Sequence, residues 1–101
     1  MNIITRRTIL FYINKYPLAA NSLKIWYDEL SKAKFASFND LKVVYGNASI
    51  VANNRVVFNI KGNSFRLVVS FNFKKQAAYV IWFGAHAEYN KIDVTTINFQ
   101  N

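Results

Sequence analysis

Between residues 65 and 73 the chain alternates without a break. Phe65, Leu67, Val69, Phe71 and Phe73 fall on one side, and Arg66, Val68, Ser70 and Asn72 on the other. Side chains of an extended strand point alternately to opposite faces, so this stretch predicts a strand with one strongly apolar face. Such a face must be buried under another layer. Arg55–Ile60 repeats the pattern, with Val56, Phe58 and Ile60 together. Residues 79–83 carry aromatic and β-branched side chains on both faces, as a central strand does. The connectors Lys61-Gly62-Asn63-Ser64 and Lys74-Lys75-Gln76-Ala77 are short enough for hairpins.

Ahead of Ile50 the apolar period is helical. Ile9, Leu10, Ile13 and Tyr16 share a stripe within residues 5–16, with Thr5 placed to cap it. Pro17 disfavours helix at Tyr16 and suits the first turn of a new one. Leu23, Trp26, Tyr27 and Leu30 then follow at i, i+3, i+4, i+7, a core-facing stripe. Ser37-Phe38-Asn39-Asp40 resembles a capping box opening a short helix that stops near Gly46. These stripes are the only large apolar surface available to the sheet. The expectation is therefore an α+β fold, one domain over residues 1–101. Its N-terminal helices pack on one face of a three- to four-stranded antiparallel sheet, and the face carrying Arg66 is left outward or in a groove. Residues 85–93 predict a helical turn placing His86, Tyr89 and Asp93 on one side. Residues 94–101 suit either an edge strand or a short helix.

Charge narrows the partners. Thirteen Lys and Arg face five Asp and Glu, a net charge of +8 on 101 residues. From Asn47 to Ala87 there is no acidic residue, while Arg55, Lys61, Arg66, Lys74 and Lys75 all lie there. An acid-free basic half favours a polyanion, with nucleic acid first. The chain has no cysteine and one histidine, which excludes thiol chemistry and disulfides and argues against a metal or other cofactor. No apolar run approaches the roughly 20 residues of a membrane span. The N-terminus lacks the pattern of a signal peptide, so a cytoplasmic protein is expected.

Cleaving RNA without a metal requires a group to take the 2′-OH proton and a group to assist the leaving 5′-oxygen. It also requires a fixed cation on the phosphoryl oxygens. An imidazole suits either proton role near neutrality, and a guanidinium grips phosphate as a fork. His86 falls just past a strand end, Arg66 projects from the polar face of the preceding strand, and Tyr89 and Lys91 follow His86 closely. There is no phosphate-binding glycine loop, nucleophile elbow or carboxylate pair.

Two segments carry a family resemblance. Residues 55–68, with Phe-Asn-Ile-Lys-Gly-Asn-Ser-Phe-Arg66, and residues 79–89, ending Gly-Ala-His86-Ala-Glu-Tyr89, are similar to the HigB family of type II toxin–antitoxin toxins. The opening Met-Asn-Ile-Ile-Thr, the Lys-Tyr-Pro at 15–17 and the Phe-Asn-Asp-Leu-Lys at 38–42 resemble it too. These are small basic mRNA interferases of the RelE/ParE superfamily. The resemblance implies helices on an antiparallel sheet, mRNA cleavage usually on the ribosome, and neutralisation by a helix-turn-helix antitoxin. Any contact with operator DNA would run through that antitoxin. It assigns Arg66 to the scissile phosphate, His86 to acid–base catalysis and Tyr89 to stacking a base or orienting the phosphate. Arg55, Lys61, Lys74, Lys75 and Lys91 become candidate RNA-binding cations. Ala85 and Asn90 stand where the family pattern has Thr and Asp. A gyrase-poisoning toxin of the same superfamily, or a non-catalytic RNA- or ribosome-binding module, are the competing expectations.

Overall fold

The change of period near Ile50 separates helices from most of the sheet in the structure, a computed structural model that describes residues 1–99. Helix α1 spans Arg6–Lys15, a 3₁₀ turn Pro17–Ala19 follows, and α2 runs Ala20–Lys32. The stripe expected on α2 is buried at Leu23, Trp26 and Leu30, with Tyr27 partly so. Helix α3, Phe38–Val44, opens on Ser37 as its sequence predicts, but the return bond of the expected capping box comes from Ala36 rather than from the Ser37 N–H. The Asp40 N–H donates to Ser37 Oγ at 3.3 Å, and the Asp40 carboxylate accepts from the Ala36 N–H at 3.0 Å. Thr5 is different: its hydroxyl makes no cap bond and accepts from the Val80 N–H at 2.6 Å instead. That bond satisfies a strand donor beyond the reach of its neighbour.

The sheet has five strands, β1 Asn2–Ile3, β2 Ser49–Val51, β3 Arg55–Ile60, β4 Phe65–Asn72 and β5 Ala77–Ala85, in the order β1-β5-β4-β3-β2. The expected antiparallel meander holds for β2 to β5, but β1 lies parallel to β5, so the sheet is mixed. Two residues without alternation carry no strand signature, which is why β1 escaped the sequence reading. The helices bury one face, where Val56, Phe58, Leu67, Val69, Val80 and Phe83 meet Ile9, Leu23, Trp26 and Leu30 in one cluster. Trp26 and Tyr45 both pack edge-on against Phe58.

The opposite face is not simply solvated, since Val57 and Val68 are fully or nearly fully buried there. A short helix α4, His86–Tyr89, follows β5, and the chain then crosses that face as irregular structure. Asn53 donates to Thr95 O and Arg55 to Val94 O and Ile97 O, while Phe99 reaches Phe11 and Tyr12. Residues 94–99 are thus neither edge strand nor helix, and Gln100 and Asn101 lie outside the described residues. Among the described residues no helix is long and apolar enough to cross a membrane.

Candidate nucleic-acid interface

The site begins in the β3–β4 turn. Lys61 and Gly62 both adopt left-handed backbone, with φ of 54° and 63°, and Ser64 N–H closes the turn on Lys61 O at 3.2 Å. Gly62 takes that conformation without a Cβ penalty, and the turn presents Asn63 to Arg66. Arg66 Nη2 donates to Asn63 Oδ1 at 2.6 Å, and Nη1 to the carbonyls of Asn63 and Phe65, each at 3.2 Å. Three of the five N–H donors of the guanidinium are thereby used. Nε–H and one Nη2–H remain without a protein partner among the described residues, a fork of the shape that grips a phosphate. Among the described residues no carboxylate neutralises Arg66, and the only ion pair joins Lys32 and Asp28.

Helix α4 is fastened to the same turn. The His86 N–H donates to Ser64 O at 3.0 Å, and Arg66 lies directly across the ladder from Gly84. Glu88 Oε1 accepts from the Ala85 N–H at 2.8 Å, holding the first turn of α4. The Tyr16 hydroxyl donates to the same carboxylate at 2.9 and 3.1 Å, tying the end of α1 to α4. Burial, and then the Glu88 carboxylate, push the Tyr16 phenol up to about 12. His86 and Tyr89, three residues apart on one helical turn, are both half-buried. The Trp82 ring centroid stands 6.2 Å from that of Tyr89. A guanidinium fork, an imidazole and a phenol are therefore carried at one end of the sheet.

A model of the family described as "HigB_toxin, RelE-like toxic component of a toxin-antitoxin system" matches residues 19–92. The chain belongs to the HigB toxin family. It is 27% identical over 92 residues to the mRNA interferase toxin HigB of Escherichia coli K12, covering 89% of this chain and 88% of that protein. The mRNA interferase HigB of Escherichia coli O157:H7 and that of Shigella flexneri match to the same extent. The span matched by the HigB family contains the 61–64 turn, Arg66 and all of α4, whereas Tyr16 lies outside it.

The remaining candidate residues of this HigB family member separate by place. Lys61 sits in the turn beside Asn63, and Lys91 lies just beyond α4; both are exposed. Lys74 and Lys75 occupy the β4–β5 turn, about 20 Å or more along β4 from Arg66. Arg55 pairs with Ser70, roughly 13 Å along β3 from the residue opposite Arg66. Arg55 is 8% exposed, and its guanidinium donates to Val94 O, Ile97 O and Asn98 Oδ1 at 2.8, 2.6 and 3.3 Å. It clamps the C-terminal segment and does not reach Arg66. Asp93, expected beside His86, instead accepts from the Thr95 hydroxyl and N–H, and these bonds hold its carboxyl below the usual range. Among the described residues Glu88 is engaged by Tyr16 and the Ala85 N–H and forms no ion pair with Arg66. Asn63, Tyr16, Glu88 and Trp82 are the residues that sequence reading missed. Only Asn63 left a local signal, an amide three residues before an arginine across a glycine turn.

Proposed function

We propose that this chain is the toxin of a type II toxin–antitoxin pair and an endoribonuclease that cleaves mRNA on the translating ribosome. What supports this reading is that Arg66, with Nε–H and one Nη2–H unpartnered among the described residues, lies at the same end of the sheet as His86 and Tyr89, linked by the Ser64–His86 backbone bond and the Arg66–Gly84 pair. The mRNA interferase names of the 27%-identical relatives support it.

In the reaction the ribose 2′-OH gives its proton to a base as its oxygen attacks the adjacent phosphorus, and the 5′-oxygen leaves with its bonding pair and takes a proton from an acid. A 2′,3′-cyclic phosphate remains. Arg66 holds the non-bridging oxygens with Nε–H and Nη2–H as charge builds on them. His86 serves one of the two proton transfers, for which an imidazole is suited near neutral pH. Tyr89 orients the phosphate or stacks a neighbouring base, while Lys61 and Lys91 add local positive potential. The neutralising partner is a helix-turn-helix antitoxin, through which any operator DNA is met.

Induced expression of the wild type should arrest growth, and primer extension on mRNA from arrested cells should show discrete cuts. Arg66→Ala and His86→Ala, at equal protein level, should each lose roughly 100-fold or more of the cleavage. Intact mRNA with broken DNA would instead indicate gyrase as the target. Salt-sensitive RNA binding with no cleavage on translating ribosomes would leave only the binding-module reading.

A further inference from the structure

Strict alternation from Val80 would send Trp82 into the core beside it. The ladder does not allow this. Val69 pairs with Val80 and Val68 with Trp82, so Ile81 is an extra, bulged residue. The bulge turns Trp82 onto the sheet face that carries Arg66 and returns Phe83 to the core. The indole then lies over Gly84, the cross-strand partner of Arg66. A Cβ on Gly84 would stand 2.6 and 2.7 Å from Cη2 and Cζ2 of Trp82, so the absence of a side chain there is what admits the ring. Trp82 also lines a cleft of about 200 Å³ beside β5, with Phe11, Tyr16, Ile97 and the acidic Glu88, held by Tyr16, among its walls. Lys15 stands at its rim, its Nζ 5.5 Å from the Tyr16 ring centroid and 5.9 Å from that of Phe11.

A flat aromatic ring between a guanidinium fork and a lysine matches the alternation of base and phosphate in a single nucleic-acid strand. Bases stack on indole faces with little regard to sequence, and cations on either side meet the flanking phosphates. We propose that Trp82 is a stacking platform for a nucleobase next to the phosphate gripped by Arg66, with Lys15 meeting the following phosphate. This subsite rests on the nuclease reading above, to which it adds a determinant of substrate register.

The test is binding of the full chain to a short single-stranded 2′-O-methyl RNA, which cannot be cleaved, and to copies carrying one abasic position each. In the wild type, a single abasic position should weaken binding roughly 10-fold or more. Trp82→Leu should weaken the intact RNA by a similar factor and bind it no better than that abasic copy, whereas Trp82→Phe keeps most of the difference. Gly84→Ala, by displacing the indole, should behave as Trp82→Leu does. Lys15→Gln should lower the salt dependence by about one phosphate contact and leave the abasic effect intact. The proposal is overturned if every abasic copy binds the wild type like the intact RNA, if Trp82→Leu still tells them apart, or if the wild type does not bind the RNA at all. Discrimination without any mRNA cleavage would remove the nuclease reading and keep the stacking site. Cleavage without discrimination would do the reverse.

Discussion

The Tyr16 hydroxyl donates to both carboxylate oxygens of Glu88 across 72 residues of chain, at 2.9 and 3.1 Å. The bond joins the end of α1, outside the family-matched span, to the helix that carries His86 and Tyr89. Burial, and then the phenolate that ionisation would place against that carboxylate, raise the Tyr16 pKa from 10.0 to about 12. A native pKa above the unfolded one means that the folded state keeps a proton the unfolded chain releases. The stabilising contribution is therefore whole below pH 10 and is lost as pH rises through about 12. Tyr16→Phe should flatten this alkaline loss in urea-unfolding curves. It should also remove one late-ionising phenol from the ultraviolet titration. At neutral pH its cost should be about 1 kcal/mol, with cleavage reduced more than stability because α4 loses its outer tie.

Asn63 holds Arg66 through both its carbonyl and its side-chain oxygen. Asn63→Ala removes the 2.6 Å contact while leaving an exposed turn, so unfolding free energy should change by no more than about 0.5 kcal/mol. RNA cleavage should fall roughly 10-fold to 100-fold, since the fork is no longer preset. If activity is unchanged, Arg66 does not depend on this orientation.

Arg55 is buried beneath the C-terminal segment with three acceptors. Arg55→Met keeps much of the stem and deletes the charged donors, which should cost about 2–3 kcal/mol by chemical denaturation. Amide exchange should quicken across residues 94–98 before the β4–β5 ladder responds. Affinity for RNA, measured where the variant remains folded, should keep the wild-type salt slope, as no phosphate contact is lost.

Lys61 and the Lys74–Lys75 pair sit at opposite ends of β4. Lys61→Ala should lower RNA affinity several-fold and reduce the salt slope by about one. Lys74→Ala with Lys75→Ala should leave cleavage within about twofold on short RNA confined to the Arg66 end. Equal effects from both ends would mean that the strand runs along the whole sheet.

The legible parts were those set by periodicity. The stripe Leu23, Trp26, Leu30 and the alternation from Phe65 assigned a helix and a strand, and with them the α+β class, because each pattern has one solution that hides its apolar face. Arg66 and His86 were legible as residue types suited to phosphate chemistry. The role of Arg55 was not, because a strand position predicts a side but not what covers that side. The irregular segment after Asp93 does the covering, and its sequence has no period.

By itself, then, the amino-acid order determined the helices, the β3–β5 meander and the basic, acid-free half that favours a polyanion. Those follow from local periodicity and from charge, which need no knowledge of partners. Tertiary structure alone decided which basic groups are available. Arg66 is held open by Asn63, Arg55 is consumed by Val94, Ile97 and Asn98, and Lys74 and Lys75 are carried to the far end. It also decided the facing of Trp82. One bulged residue reverses the alternation of a strand, and whether Ile81 bulges depends on how β5 registers against β4, a relation between segments that neither one contains.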